Sequence, residues 1–146
     1  IAEIEKNIFK YLPESPLRSK LIPLILERIS KWSDVENMMQ TGELGFFFTP
    51  PELDKDKLIF KNTPKENITA NLKLAMNSLE KLDEENFTKE NVKSNLMQIA
   101  DTLESRGEIL HPVRVALSGL DKSPDPFIIA EILGKNETLS RLQKAI

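Results

Sequence analysis

The sequence predicts an all-α protein built from two small helical-bundle subdomains. Apolar residues recur at helical spacing through most of the 146 residues. Serine-proline and threonine-proline pairs and glycines divide these stretches as helix starts and stops. No convincing alternating strand pattern occurs. A charged break at residues 83–86 divides the chain into predicted subdomains 1–82 and 83–146.

The first predicted long helix follows a serine-proline pair. Ser15 suits the N-cap and Pro16 the first helical position. Its apolar stripe consists of Leu17, Leu21, Leu24, Ile25 and Trp32. Pro23 lies deep enough inside to kink the helix. A capping-box pattern at Ser33 then begins another helix that runs toward Gly42.

The segment GFFFTPP, residues 45–51, interrupts the helical pattern with three consecutive aromatics and two prolines. A base-stacking platform is one interpretation of such a cluster. A hydrophobic plug under a loop is the interpretation we favour, because adjacent aromatic side chains are more often buried than displayed.

Two helices with regular apolar stripes are predicted next. The first starts at Thr63 and the second is capped by Thr88. The two inward-facing sets are Ile68, Leu72, Met76, Leu79 and Leu82, then Val92, Leu96, Ile99 and Leu103. Gly107 is expected to end the second helix as a left-handed C′ residue.

The remaining helices are predicted to be short. Residues 112–118 form a two-turn helix that Gly119 stops. A second begins at Ser123-Pro124 and stops at Gly134. Asn136 caps the last.

Composition limits the possible functions. The chain has no cysteine and one histidine, which excludes a disulfide scaffold and a thiolate zinc site. The absence of cysteine also indicates a reducing compartment, and the N-terminal residues IAEIEKNIF lack the basic and apolar regions of a signal peptide, so we expect a cytoplasmic protein. No apolar run approaches the roughly 20 residues of a membrane span, so we expect no membrane association. The net charge of −3 argues against general nucleic-acid binding. Residues 105–146 alone are positive, with 6 Lys/Arg against 5 Asp/Glu.

Catalytic signatures are absent from the sequence. It contains no zinc-protease, Walker A or dinucleotide-binding pattern. Ser118 lies seven residues from His111 and is not part of a nucleophile elbow. The mixed-charge runs at 54–57 and 82–86 are more simply solvated faces than metal or acid-base sites. We therefore expect no catalysis by this chain alone.

The segment HPVRVALSG, residues 111–119, is the strongest candidate for recognition. It places an imidazole and a guanidinium on what the sequence predicts as the first turn of a short helix. Flat side chains and forked arginine donors are what single-stranded RNA recognition commonly uses. The alternative is structural: a partly buried His111 and a surface Arg114 that pairs with Asp121 or Asp125.

The C-terminal stretch resembles the end of bacterial glutamyl-tRNA synthetases. Their usual motif is an aromatic or polar residue followed by Pro-Leu-Arg-Val-Ala-Leu-Thr-Gly, as in HPVRVALSG. The family's later landmarks match in order at Ser123-Pro124, Leu133-Gly134-Lys135 and Arg141-Leu142. Upstream, residues 24–48 (LILERISKWSDVENMMQTGELGFFF) resemble the family's Leu-x-x-Glu-Arg segment and its aromatic cluster.

The resemblance implies a helical anticodon-binding module of a class I glutamate-tRNA ligase, with no catalytic Rossmann domain in this chain. Neither the His-Ile-Gly-His-like nor the Lys-Met-Ser-Lys-Ser-like catalytic signature occurs in the sequence. ATP and Mg²⁺ are therefore expected only in a catalytic domain outside this chain, which itself holds no cofactor or metal. The implied partner of this monomeric module is glutamate tRNA and, in a permissive enzyme, also glutamine tRNA.

The resemblance also implies roles for individual residues. Arg114 would hydrogen-bond an anticodon base or its phosphate, and His111 would stack on the first base. The turn beside the middle base falls on Ser123 and Pro124. Phe127 is a candidate lid with an equal claim to the core.

Three further cations complete the candidate set. Arg28 is a candidate reader of the third anticodon base, and a helix-surface arginine is the equal alternative. Lys31 and Arg106 are candidate phosphate contacts. A helical protein-protein adaptor without RNA binding is the competing functional class, and the acidic total charge is consistent with it.

Overall fold

The computed structural model describes residues 2–146, whose regular secondary structure is helical, with no strand among them. This confirms the predicted all-α class. The α-helices within these residues are α1 (Ala2–Phe9), α2 (Arg18–Leu26), α3 (Asp34–Gln40), α4 (Gly45–Phe48), α5 (Lys65–Glu80), α6 (Lys89–Ala100), α7 (Gly107–Ser118), α8 (Pro126–Leu133) and α9 (Lys135–Ala145). Short 3₁₀ helices span Lys55–Leu58 and Glu84–Asn86. None of the helices in this part of the chain is both long and apolar enough to cross a membrane.

The chain forms two compact units, of which the first ends at Thr49 and the second is Pro50–Ile146. The subdomain boundary expected at residues 82 and 83 therefore falls inside the second unit. There it lies between α5 and α6, two helices that pack against each other.

The first unit contains α1 to α4. Its buried apolar side chains come from each of these helices and their connections, and they include Ile8, Leu12, Leu21, Leu24, Ile25, Val35, Met38, Leu44, Phe46 and Phe47. The rings of Phe46 and Phe47 lie 4.2 Å apart and are both buried, as expected for a hydrophobic plug. They belong to the short helix α4, so the expectation that this segment lies under a loop was wrong. Trp32 departs from the predicted apolar stripe because its side chain is 37% exposed.

Helix starts in the first unit differ from the prediction. Helix α2 begins at Arg18, and Ser15 Oγ accepts the N–H of Leu17 at 3.2 Å without capping the helix itself. Ser33 makes no side-chain cap for α3. The Asp34 carboxylate instead accepts the N–H groups of Ser30 and Lys31 at 2.9 and 3.2 Å, and these bonds lower the pKa of that carboxyl.

Helix α7 is the central element of the second unit. It packs against α5, α6, α8, α9 and the 3₁₀ helix Lys55–Leu58. Seven of its twelve residues are buried: Ile109, Pro112, Val113, Val115, Ala116, Leu117 and Ser118. Such a helix has neighbours on most of its circumference and is apolar accordingly.

The prediction for the start of α7 was wrong. The helix begins at Gly107 rather than Pro112, and Gly107 is not left-handed. Helix α6 already ends at Ala100. A Cβ atom at position 107 would overlap the Phe60 ring, so glycine is required there by the close approach of an aromatic side chain.

Pro112 lies inside α7, where a proline removes the hydrogen bond to the carbonyl four residues earlier. That carbonyl belongs to Glu108. The side chain of Asn71, a buried residue of α5, donates from Nδ2 to the Glu108 oxygen at 2.9 Å. The asparagine thus replaces the missing main-chain donor and allows α7 to continue through the proline.

Of the other helix caps predicted in the second unit, some are present in the structure and one is not. Thr88 caps α6 as predicted, because its hydroxyl accepts the N–H of Asn91 at 3.2 Å. Gly134 ends α8 with a positive φ of 84°. The predicted cap at Asn136 was wrong, because α9 starts at Lys135 directly after Gly134 and has no side-chain cap.

Asn71→Ala is expected to destabilise the second unit by about 1–3 kcal/mol, because the part-buried Glu108 carbonyl loses its partner. Pro112→Ala should recover much of this loss, since an alanine N–H can bond that carbonyl. Trp32 and Tyr11 both precede Thr49. Urea unfolding followed by circular dichroism and by amide exchange in α5 and α7 therefore reports the change better than intrinsic fluorescence.

Asn77→Ala, at an exposed position of α5, is the matched control and should alter stability little. Equal effects of Pro112→Ala in the wild-type and Asn71→Ala backgrounds would show that the two residues are not coupled.

Candidate nucleic-acid interface

Four of the predicted contact residues lie together at the end of α7. His111 and Arg114 are three positions apart and share one face of the helix. The α7–α8 loop, residues 119–125, returns toward that face, and Arg114 Nη1 donates to Ser123 Oγ at 3.1 Å. Ser123 Oγ donates in turn to the Pro124 carbonyl at 2.9 Å. We call His111, Arg114, Ser123 and Pro124 the α7 cluster.

The Arg114 guanidinium holds the loop through its main chain. Nη2 donates to the Asp121 carbonyl at 2.9 Å, and Nη1 approaches the Leu120 carbonyl at 3.5 Å. The sequence left open a purely structural role, in which Arg114 forms an ion pair with the carboxylate of Asp121 or Asp125. The contact with Asp121 is instead made by its backbone oxygen, so Arg114 fixes the path of the loop and retains its net charge.

His111 lies between Arg114 and the 3₁₀ helix Lys55–Leu58. Its Nε2 is 2.8 Å from the Lys57 carbonyl, which can only accept a hydrogen bond, so Nε2 carries the hydrogen. Its Nδ1 is 3.5 Å from Arg114 Nη2 and faces that donor with a lone pair. The imidazole is half-buried, and its centroid lies 5.7 Å from that of the Phe60 ring at an interplanar angle of 45°.

The loop leaves α7 through a tight turn that requires glycine. Gly119 has a φ of 71° and donates its N–H to Val115 at 2.7 Å, which confirms the predicted helix stop. A Cβ atom at position 119 would also lie 2.5 Å from Pro51 Cβ. Ser118 Oγ completes the turn by donating to the Arg114 carbonyl at 2.8 Å and accepting from Leu120 N–H at 3.1 Å.

The N-terminus of α8 corrects the prediction for Ser123. Asp125 is the N-cap residue, its carboxylate accepts the N–H of Ile128 at 2.9 Å, and Pro126 occupies the first turn. Ser123 is left to bond Arg114. Phe127 is 8% exposed and is one of the buried side chains of α8. Of the two roles that the sequence allowed, a lid or a core residue, its burial favours the core.

Arg141 supports the end of α7 from inside the unit. Its side chain is 2% exposed, Nη1 donates to the Leu117 carbonyl at 2.7 Å, and Nε bonds Glu137 at 2.7 Å. The carbonyl is one of those that a helix C-terminus leaves without a main-chain partner. This structural role of Arg141 was not predicted from the sequence. Its position beside Leu142 in the apolar stripe is the signal that could have indicated a buried charge with a specific partner.

The remaining cations lie outside the α7 cluster. Arg28 belongs to the first unit and is 3.8 Å from Glu43, with 41% and 49% of the two side chains exposed, so the pair is weak. Lys31 is exposed in the same unit. Arg106 precedes α7 and bonds Asp101 at 2.9 Å on the surface.

No group of three or more histidine, cysteine, aspartate or glutamate side chains within residues 2–146 is arranged to hold a metal ion. The polar groups of the α7 cluster comprise a guanidinium, an imidazole, a hydroxyl and main-chain carbonyls. This set offers hydrogen bonds, charge and flat surfaces.

Residues 3–146 match the family described as "Anticodon binding domain". Glutamate-tRNA ligase 2 of Thermoanaerobacter pseudethanolicus is 33% identical over 127 residues, which cover 87% of this chain and 25% of the relative. The glutamate-tRNA ligase of Flavobacterium johnsoniae is 33% identical over 151 residues, with 99% of this chain and 28% of the relative covered.

A solved structure gives the same picture. The crystal structure of a glutamate tRNA ligase from Elizabethkingia meningosepticum, in complex with its amino acid, has a TM-score of 0.73 and 27% identity to this chain. The match covers 99% of this chain and 28% of that one. The chain thus spans about a quarter of the length of the relatives it matches.

Asp125→Ala is expected to destabilise the second unit by about 1 kcal/mol, because it removes the N-cap of α8. Ser123→Ala should cost less, since its hydroxyl caps no helix. Urea unfolding of both variants by circular dichroism checks the order. A larger loss of stability in Ser123→Ala than in Asp125→Ala would instead indicate that Ser123 caps α8.

Proposed function

Because this chain belongs to the anticodon-binding domain family, in the form found in glutamate-tRNA ligases, we propose that it binds the anticodon loop of glutamate tRNA. In this proposal the chain is the C-terminal module of a ligase that acts in the cytoplasm. It positions the tRNA for aminoacylation by a catalytic domain outside this sequence, and ATP and Mg²⁺ act only in that domain.

The observation that carries the proposal is the geometry of the α7 cluster. His111 and Arg114 come from a helix, and Ser123 and Pro124 come from the following loop, yet direct hydrogen bonds join the arginine to both segments. All four residues are half-buried. Each is therefore fixed on one side by the protein and accessible on the other, as recognition of splayed RNA bases requires.

The chemistry of Arg114 suits an RNA loop. Its four Nη hydrogens have partners within the chain at His111, Leu120, Asp121 and Ser123. The Nε–H, the charge and the flat face of the guanidinium remain for a phosphate or a base. Ser123 and Pro124 supply main-chain groups that can read the edge of the middle base.

Arg28, Lys31 and Arg106 extend the proposal to the rest of the loop. Arg28 is the proposed reader of the third anticodon base, where glutamate and glutamine tRNAs carry C and G. Guanidinium donors suit the O2 and N3 acceptors of cytosine and leave the donor groups of guanine unsatisfied. Lys31 and Arg106 are proposed phosphate contacts.

Arg114→Ala should weaken binding of a glutamate anticodon stem-loop by about 1–3 kcal/mol, or roughly 5- to 150-fold in Kd. The reason is the loss of a fixed cation and of the loop conformation that it holds. A titration at two salt concentrations measures this, and wild-type affinity should fall steeply as salt rises.

Lys93→Ala, at an exposed position of α6, removes the same charge and should change Kd little. A folded wild-type chain that binds no stem-loop at low salt would refute RNA recognition. Binding of a protein partner with little dependence on salt would then favour the helical adaptor.

Arg28→Ala should reduce the preference for C over G at the third anticodon position, with a smaller effect on binding of the G-containing loop. The comparison is the ratio of Kd values for glutamate and glutamine stem-loops, with Lys20→Ala on α2 as the charge-matched control. A wild-type ratio near one would identify a permissive module, and an unchanged ratio in Arg28→Ala would remove this residue as the reader.

A further inference from the structure

We propose that His111 is a positioning residue that holds the Arg114 guanidinium in place, and that it is not a stacking surface for the first anticodon base. This inference rests on the proposed RNA-binding function of the α7 cluster. It concerns how that cluster is kept ready for binding.

A continuous series of hydrogen bonds passes through the imidazole. His111 donates from Nε2 to the Lys57 carbonyl at 2.8 Å, and its Nδ1 faces Arg114 Nη2 at 3.5 Å. Arg114 then donates to the carbonyl of Asp121 and to the hydroxyl of Ser123. The imidazole therefore connects the 3₁₀ helix Lys55–Leu58 with the α7–α8 loop through one guanidinium.

The tautomer of the ring follows from its partners. A carbonyl accepts and a guanidinium donates, so the same ring must donate from Nε2 and accept at Nδ1. Only the neutral tautomer with hydrogen on Nε2 satisfies both neighbours. A phenyl ring can do neither, and an indole can donate but cannot accept from Arg114.

The surroundings of the ring restrict its orientation further. The Phe60 ring packs against the imidazole, and Phe60 in turn occupies the space left by the missing Cβ of Gly107. Both ring nitrogens are thus directed at protein groups, and the plane of the ring is set by an aromatic neighbour. These constraints give Arg114 a fixed partner on α7 in addition to its partners in the loop, so the guanidinium loses less rotamer freedom when RNA binds.

His111→Phe tests the inference because it keeps an aromatic ring and removes both hydrogen bonds. Positioning predicts a loss of affinity for the glutamate stem-loop of about 2- to 12-fold, the factor that corresponds to ordering one long side chain on binding. His111→Gln should restore most of that loss, since its amide can donate to Lys57 and accept from Arg114. His111→Phe should add little to Arg114→Ala, because the two changes act through the same group.

Stacking predicts the opposite order. Phenylalanine would then bind at least as tightly as histidine, glutamine would bind weakly, and the effects of His111→Phe and Arg114→Ala would add. Either result overturns the positioning role. Circular dichroism of each variant verifies that the fold is retained.

A measurement on the wild-type chain needs no RNA. Because the chain has one histidine, long-range ¹H–¹⁵N spectra give a single imidazole pattern, and the inference requires the Nε2–H tautomer. A ring with hydrogen on Nδ1 would overturn it. The Nε2–H tautomer without any stem-loop binding would contradict the proposed function, whereas tight binding that His111→Phe leaves unchanged would contradict this inference alone.

Discussion

One side-chain hydrogen bond compensates for Pro112 inside α7, the helix around which the second unit is packed. Without the Asn71 amide on the Glu108 carbonyl, the proline would leave a part-buried acceptor without its main-chain partner in the helix that contacts four other α-helices. Because α7 continues, the residues on either side of the proline keep helical register. His111 and Arg114 consequently share a face of α7, which is what places both side chains in the α7 cluster.

Two arginines, Arg141 and Arg114, bond main-chain carbonyls at and beyond the end of α7. Arg141 is buried and bonds the Leu117 carbonyl, which removes an unpaired acceptor from the interior. Arg114 is half-buried and bonds the carbonyls that follow Gly119. A guanidinium suits both positions because it presents several donors in a fixed plane and remains charged. Arg141 therefore holds the last turn of α7, and Arg114 holds the loop that follows it.

The sequence predicted the elements better than the contacts between them. Local signals were reliable at Thr88, Gly119 and Gly134. The side-chain caps predicted at Ser33, Ser123 and Asn136 did not form. Longer-range packing decided the error at Gly107. Gly107 was predicted to end a helix, but the structure shows that glycine is needed there because the Phe60 ring occupies the space of a Cβ atom. The candidate cluster was predicted by residue type, but its bonds were not, because a main-chain carbonyl such as that of Lys57 or Asp121 has no signature in the sequence.

The close approach of the Phe60 ring to Gly107 couples the side-chain sizes that these two positions can accept. Any side chain at 107 needs the volume that the ring at 60 now fills, so neither position can change freely while the other is kept. Among divergent relatives, a larger residue at 107 should accompany a smaller one at 60. The pair would then carry an evolutionary record of how closely the start of α7 approaches the segment that bears Lys57.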